Sequence, residues 1–308
     1  MVTRFFVVLG QVATLFLMIG VGFGMGKWGK ITAHGTAEFS SLLLYVVTPC
    51  IIIDSFQTSY DDALLKTLGL GVACQMGCYA LYAVIVSFFF RKDEPDLRTP
   101  FRFGAMYGNT GFMGIPLIQA IMGDEAVIFA VVALTLFNLW AWSHGLVMMS
   151  GEKKISLKKM LITPGALGLL GGLPLFLTRT TLPGPLYKAV GFVGSLNTPL
   201  AMIVIGAQLS RADLGSLLKD RKLYEASAIK LILIPLVTMA VMLPFRGNHL
   251  LYVAAVILSG APAAGVTSMF AEMFNKSPER TAELVSFSTL LSIFTLPVVA
   301  VLAETIAA

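Results

Sequence analysis

Ten apolar stretches, each of about 20 residues, follow one another along the 308-residue chain. A run of this length is what an α-helix needs to cross the hydrocarbon core of a bilayer. The connections between the stretches are short and polar, so no soluble domain is expected between them. The predicted spans are residues 5–26, 38–57, 67–90, 103–122, 127–149, 161–178, 189–209, 224–244, 250–274 and 282–303.

The composition agrees with a multi-pass membrane protein. Hydrophobic residues make up 56% of the chain, charged residues make up 13%, and the mean hydropathy is +0.83. A soluble domain carries about 25% charged residues. The first stretch is longer than the apolar core of a signal peptide, so we interpret it as a retained span. The expected fold class is therefore an all-α integral membrane protein.

Lysine and arginine are distributed unequally between the two sides of these spans. Sixteen of the 22 lie in the connections that follow spans one, three, five, seven and nine, and five lie on the opposite side. The side richer in positive charge faces the cytoplasm, so both termini are expected outside, in the periplasm. Because the charges are spread over five short loops, we expect no nucleic-acid partner.

Spans four and nine are interrupted by glycine and proline. The first interruption, GNTGFMGIP, runs from Gly108 to Pro116, and the second, SGAPAAG, runs from Ser259 to Gly265. Such residues release backbone N–H and C=O groups that lipid cannot satisfy, so these groups must face protein or water. A matched pair of broken helices is typical of the central binding site of a transporter. We predict a substrate site formed by Asn109, Thr110, Gly111, Pro116, Gly260, Ala261, Pro262 and Gly265.

The two interruptions also belong to an internal repeat. The dipeptide Thr-Pro occurs at residues 48–49 in span two and at residues 198–199 in span seven, an offset of 150 residues that Asn109 and Ser259 share. Each half has five spans, an odd number, so the second half enters the membrane from the opposite side. The sequence thus predicts two inverted five-helix repeats, residues 1–154 and 155–308, whose interruptions meet near the middle of the bilayer.

A few polar side chains lie within the apolar spans. Lys230 lies inside span eight, where a charge costs about 2.5 to 3.5 kcal/mol. Two interpretations stay open: its side chain reaches back to the cytoplasmic headgroups, or it lies behind the crossover, where it neutralises helix C-terminal ends or balances a bound anion. Gln75, Asn138, Ser259 and Thr267 are further polar residues that could support the site. For the amides of Gln75 and Asn138, a hydrogen bond between helices is the alternative.

The sequence contains neither membrane-buried acid pairs nor the motifs of enzymes. A sodium/proton antiporter needs carboxylates near its broken helices, and no zinc-protease, nucleophile-elbow or P-loop motif is present. The N-terminal ends of half-helices instead suit a carboxylate. These features favour a secondary carrier of small organic anions, without enzymatic activity and without a cofactor other than a coupling proton or sodium ion. A monovalent cation/proton antiporter on the same fold and a non-transporting membrane sensor remain alternatives.

The decapeptide YGNTGFMGIP at residues 107–116, the ten spans, the small residues around Pro262 and the short central loop resemble the bacterial branch of the auxin efflux carrier family. The resemblance covers the whole chain. It implies a fold similar to that of bacterial sodium/proton antiporters and bile-acid symporters, with a scaffold domain of spans one, two, six and seven. Spans three to five and eight to ten would form a transport domain in which the broken helices, spans four and nine, cross. This domain would move by an elevator-type mechanism, in a homodimer.

The family resemblance also bears on the substrate. Family members move organic anions, so it implies a malonate-like or auxin-like carboxylate, transport across the bacterial inner membrane, and site roles for Asn109 and Pro116 in the first crossover and for Pro262 in the second. The plant carriers have a long central hydrophilic loop, whereas residues 150–160 are all that joins the halves here. This difference weakens the prediction that auxin itself is the substrate.

Overall fold

The computed structural model describes residues 2–58, 61–151, 164–212 and 214–307, and within them every regular element is a helix. A short helix, Leu214–Leu217, precedes the ninth of the main helices. The main helices are Val2–Lys27 (α1), Ala33–Ser55 (α2), Asp62–Ser87 (α3), Pro95–Met106 (α4), Thr110–Met122 (α5), Asp124–Ser150 (α6), Pro164–Leu177 (α7), Gly184–Leu209 (α8), Arg221–Phe245 (α9), His249–Ser259 (α10), Val266–Met273 (α11) and Pro278–Ala307 (α12).

Seven helices in the described ranges are long and apolar enough to cross a membrane, namely α1, α2, α3, α6, α8, α9 and α12. Three shorter apolar helices, α5, α7 and α10, overlap the other three predicted stretches. The protein is therefore all-helical with several membrane-spanning segments. The predicted start of span six at residues 161–163, the boundary between the halves at residues 154 and 155, and most of the central loop lie outside the described residues.

The first interruption is narrower than the sequence indicates. Its non-helical part covers only residues 107–109, and the chain from Thr110 is helical again, beginning with a wider π-turn at Thr110–Gly114. Pro116 has no N–H group and crowds the carbonyl four residues before it. The π-turn relieves this conflict, because the N–H of Ile115 donates to the carbonyl of Thr110 five residues back. Residues 110–116, which the sequence assigned to the interruption, thus lie at the start of a half-helix.

The same adjustment precedes prolines in two other helices. The π-turn Leu43–Val47 lies just before Pro49 in α2, and the π-turn Ile229–Leu233 lies just before Pro235 in α9. In both, the residue before the proline donates its N–H to the carbonyl five residues back. Lys230 lies within the second of these turns. The extra residue in such a turn changes the direction in which its side chains leave the helix, and π-turns are frequent at functional sites.

Helix α4 begins earlier than the predicted start of span four at residue 103. It starts at Pro95, because proline suits the first turn of a helix and Asp96 complements the positive end of the helix dipole. Arg102 of α4 reaches back to the preceding helix. Its guanidinium donates to the carbonyls of Ser87 and Phe89 at the C-terminal end of α3. These bonds satisfy carbonyls that the end of α3 leaves without helical partners.

Two close helix contacts depend on glycine. A β-carbon on Gly22 of α1 would overlap the backbone of Ile203 in α8, and one on Gly206 of α8 would overlap the carbonyl of Ile19. Three glycines of α7 also lie close against α2. Small residues allow membrane helices to approach until their backbones touch, which gains van der Waals contact where no hydrophobic effect drives association. Helix α8 therefore packs on α1 and α2, and α2 packs in turn on α7, so that these four helices form one group.

The remaining helices form a second group around the interruptions. Helix α3 packs on α4 and α6, and α12 packs on α9, α10 and α11. Helix α5 lies between the two groups, since it contacts α1 and α8 on one side and α6 and α10 on the other. The second group encloses most of the buried polar side chains in the described residues, including Lys230 and Thr267.

Ion pairs join the connections at one end of the second group. Lys222 pairs with Asp93 at 2.7 Å, and Arg280 pairs with both Asp220 and Glu283. These contacts connect the segment after α3 with the starts of α9 and α12.

Asp220 also caps helix α9, because its carboxylate accepts a hydrogen bond from the N–H of Lys222 at 2.8 Å. Burial alone raises the pKa of Asp220, but hydrogen bonds from Arg280 and from the backbone N–H groups of Lys222 and Leu223 outweigh it. The pKa of this carboxyl therefore lies below its ordinary value.

Candidate functional site

The two interruptions meet and exchange backbone hydrogen bonds. Gly108 lies opposite Ala263 in an isolated antiparallel bridge. The N–H of Asn109 donates to the carbonyl of Pro262 at 2.7 Å, and the N–H of Ala264 donates to the carbonyl of Tyr107 at 3.0 Å. Each interruption thus satisfies backbone groups that the other releases, as a bilayer interior requires. We call residues 107–110 and 259–265 the crossover.

Asn109 caps the half-helix that leaves the first interruption. Its side-chain oxygen accepts a hydrogen bond from the N–H of Phe112 at 3.1 Å. Its side-chain NH₂ group makes no hydrogen bond within the described residues, and the residue is half-buried. Thr110 is buried, and its hydroxyl lies 3.3 Å from the carbonyl of Gly108. The first half-helix therefore presents one uncommitted amide donor beside its positive end.

Other predicted residues of the first interruption serve packing. A β-carbon on Gly111 would lie 3.4 Å from the side chain of Leu134 in α6, and Pro116 is buried within α5. Gly114 contacts Leu258 of α10 with no space for a side chain. The small residues of the first interruption thus allow α6 and α10 to lie close to it.

The second interruption is more deeply buried than the first. Gly260, Ala261 and Pro262 are all buried, whereas Gly265, at the start of α11, is exposed. The N–H of Ala263 donates to the hydroxyl of Ser288 in α12 at 3.1 Å. This half of the crossover is therefore held by α12 as well as by the first interruption.

Lys230 lies against the crossover with only 2% of its surface exposed. Its Nζ atom donates to the carbonyl oxygen of Ser259 at 2.5 Å. A β-carbon on Gly108 would lie 3.0 Å from that Nζ atom and 3.1 Å from the carbonyl oxygen of Ala261. The Lys230 side chain thus ends at the backbone of the two interruptions.

The remaining polar candidates lie at different distances from the crossover. Ser259 is a buried residue of the crossover, and Thr267 is buried just after it, where its hydroxyl finds no partner within the described residues. Gln75 lines a small, largely apolar cavity between α3, α6, α9 and α10. Asn138 lies against Gly165, where its amide meets α7. The structure thus brings Ser259, Thr267 and Lys230 together at the crossover and places Asn138 at a helix contact.

Aromatic residues beside the first interruption were not predicted from the sequence. The hydroxyl of Tyr107 lies 3.0 Å from the carbonyl of Trp140 and 3.0 Å from Nδ1 of His144. Tyr79 stacks on both Tyr107 and Trp140, and its hydroxyl lies near Thr110. Tyr107 directly precedes Gly108, a signal that the sequence did offer. The contacts of the other residues depend on the folding of α3 and α6, which no local pattern reveals.

Comparisons with known proteins place this architecture in a family. Residues 7–158 and 152–300 match the model of a family described as membrane transport protein. An "Uncharacterized transporter" from Methanothermobacter thermautotrophicus is 23% identical over 93% of this chain and 95% of its own length. A protein of Rhizobium meliloti named "Putative malonate transporter" is 20% identical over 94% of this chain and 93% of its own length. A further "Uncharacterized transporter", from Methanocaldococcus jannaschii, is 23% identical over 65% of this chain and 68% of its own length.

Proposed function

The chain belongs to the membrane transport protein family, which is that of the auxin efflux carriers, and from this premise we propose that it is a secondary transporter of small organic anions. The observation that carries the proposal is the crossover itself, where half-helix α5 begins next to Asn109 and half-helix α11 begins next to Gly265. Helix N-termini carry free N–H groups and partial positive charge, which favour a carboxylate.

The charges near the crossover support an anionic substrate. The buried ammonium of Lys230 contributes a positive charge, and no carboxylate in the described residues lies within ion-pairing distance of it. The uncommitted NH₂ group of Asn109 adds a neutral donor. An anion at this place would be favoured by the N-terminal end of α5, by the amide donor of Asn109 and by the ammonium of Lys230. A dicarboxylate such as malonate is one candidate, in keeping with the name of the Rhizobium relative.

The helix pattern supports two inverted five-helix repeats with ten spans. The three shorter apolar helices would complete seven longer ones, and each half would contain one helix with an interruption. The tight group of α1, α2, α7 and α8 corresponds to the scaffold domain of the proposal, and the group around the crossover corresponds to its transport domain. Movement of the second group against the first would carry the site across the bilayer as an elevator.

The proposal extends to the membrane, the orientation and the oligomeric state of the protein. We place it in the bacterial inner membrane with both termini in the periplasm, because the positively charged connections would then face the cytoplasm. A homodimer, joined through the scaffold group, would hold that group still while the transport group moves.

A screen in proteoliposomes tests the proposal. Labelled mono- and dicarboxylates are offered to the purified protein under an imposed proton gradient, sodium gradient or membrane potential, with empty liposomes as the control. We expect uptake of at least one small carboxylate. A pH change driven by a cation without any organic substrate would instead identify a cation/proton antiporter, and binding of a carboxylate without uptake would identify a sensor.

A further inference from the structure

Lys230 binds a carbonyl at the end of α10 that the second interruption leaves without its helical partner. In a continuous helix the carbonyl of Ser259 would accept from the N–H of Ala263, but that N–H donates to the Ser288 hydroxyl. The ammonium of Lys230 takes this carbonyl at 2.5 Å. It therefore lies at the C-terminal end of α10, where the helix dipole is negative.

Within the described residues, no carboxylate forms an ion pair with the ammonium of Lys230. Within the described residues the ammonium makes one hydrogen bond, to Ser259, although it carries three N–H donors. It lies against the backbone of Gly108, so its remaining donors are at the crossover itself. An unpaired charge in a low-dielectric interior is costly, and the partial charge of one helix end offsets only part of that cost.

The position of the ammonium has a chemical meaning in carriers with broken helices. In such carriers, half-helix C-terminal ends and unwound carbonyls hold the coupling cation, while half-helix N-terminal ends hold the anionic substrate. Here the Ser259 carbonyl, and the space beside Gly108 and Ala261, are occupied by a covalently attached cation. A sodium ion at this carbonyl would have to displace the ammonium.

We propose that Lys230 is the resident cation of the crossover: it takes the place of a coupling sodium ion and supplies the positive charge that accompanies the bound carboxylate. The inference rests on the proposed function and narrows it, because carboxylate transport then needs no sodium. The substrate class is an anion with at least one carboxylate, whose charge the ammonium balances during passage.

Uptake measurements test this role. Proteoliposomes contain the wild type, Lys230→Met or Lys188→Met, the last being an exposed lysine of α8 that serves as the matched control. We expect wild-type carboxylate uptake to change less than twofold when sodium is replaced by N-methyl-D-glucamine. Lys230→Met should lose uptake at least tenfold, and Lys188→Met should behave as the wild type. A strict sodium requirement of the wild type, or full uptake by Lys230→Met, overturns the inference.

A second measurement is independent of the substrate. The thermal unfolding midpoint of purified wild type, Lys230→Ala and Lys188→Ala is followed with added methylammonium or sodium chloride. A small cation should enter the space vacated in Lys230→Ala and raise its midpoint, while the other two proteins stay unchanged. If the wild type transports no carboxylate, the proposed function fails, yet this shift still decides the role of Lys230. Equal responses of all three proteins, or a Lys230→Ala protein with the wild-type midpoint, contradict it.

Discussion

Single residues of the crossover combine a structural contact with a polar group that the proposed function assigns to the substrate. Asn109 shows this best, because its side-chain oxygen caps a half-helix while its NH₂ group stays uncommitted in the described structure. Asn248 caps α10 in the same way, with its oxygen accepting from the N–H of Leu251 at 3.2 Å, but its NH₂ group is bonded to Thr67. Variants of these two asparagines therefore distinguish the effect of losing a helix cap from the effect of losing an uncommitted NH₂ donor.

Replacement of Asn109 by alanine should abolish transport without preventing expression. The lost cap costs about 1 kcal/mol of stability, which a folded membrane protein tolerates, whereas the lost NH₂ donor is the group that the proposed function assigns to the substrate. Uptake and the size-exclusion profile are measured for Asn109→Ala and for Asn248→Ala. The matched variant should lose comparable stability and keep its uptake. Unchanged uptake by Asn109→Ala would remove this residue from the site.

Gly108 is expected to tolerate no side chain. Its β-carbon would lie 3.0 Å from the Nζ of Lys230 and 3.1 Å from the carbonyl oxygen of Ala261, so one of them must move. We expect Gly108→Ala to lower uptake about tenfold or more, since geometry at a binding site is sensitive to small displacements. Gly77→Ala is the control, because nothing lies within 4 Å of its added carbon. Equal uptake by both variants would show that the ammonium position is unimportant.

Asp220 should make stability depend on acid pH. Its pKa in the folded protein lies below the ordinary value, so its contribution to stability is complete above about pH 4 and is lost as the pH falls through the lower, folded-state pKa. The unfolding midpoint of the wild type should exceed that of Asp220→Asn at neutral pH, and the difference should shrink below about pH 4. Glu125→Gln, at an exposed position, is the control. A difference that stays constant with pH would contradict this role.

At the scale of elements, some features of the structure follow from local sequence patterns, and others depend on contacts between distant residues. The apolar stretches predicted the helices, and Gly108 and Pro262 predicted where two of them are interrupted. The return of the helix at Thr110 was not predicted, because a π-turn before a proline depends on small shifts in hydrogen bonding. The hydrogen bond between Ala263 and Ser288 joins residues that are 25 positions apart on separate elements, and no periodic pattern in the sequence predicts it.

The contact of α1 with α8 should depend on one face of α1. Gly22 touches the backbone of Ile203, whereas nothing lies within 4 Å of a β-carbon added to Gly20. Gly22→Ala should therefore destabilise the protein by about 1–3 kcal/mol through overpacking, while Gly20→Ala should not. Thermal unfolding midpoints of the two variants in detergent measure the difference. Equal midpoints would mean that the helices separate easily.

At the scale of the molecule, the proposal requires two groups of helices that move against each other. Gln119 of α5 and Thr198 of α8 mark the boundary, since the Thr198 hydroxyl donates to the Gln119 side-chain oxygen at 2.9 Å. Cysteines at these two positions, in a chain whose Cys50, Cys74 and Cys78 are replaced, are joined by a thiol-reactive cross-linker. We expect the linked protein to bind its carboxylate but not to transport it, with reductive release of a cleavable linker restoring uptake. Full uptake by the linked protein would exclude an elevator movement at this boundary.

Counterflow is the most direct test of whether the protein carries a carboxylate through the crossover, because it needs no imposed ion gradient. Liposomes containing the protein are loaded with unlabelled carboxylate, diluted into a trace of the labelled compound, and followed for transient accumulation of the label. An alternating carrier should show this overshoot for a small carboxylate in the wild type and not in Asn109→Ala. Absence of an overshoot with every carboxylate tested, or the same overshoot in Asn109→Ala, would contradict the account.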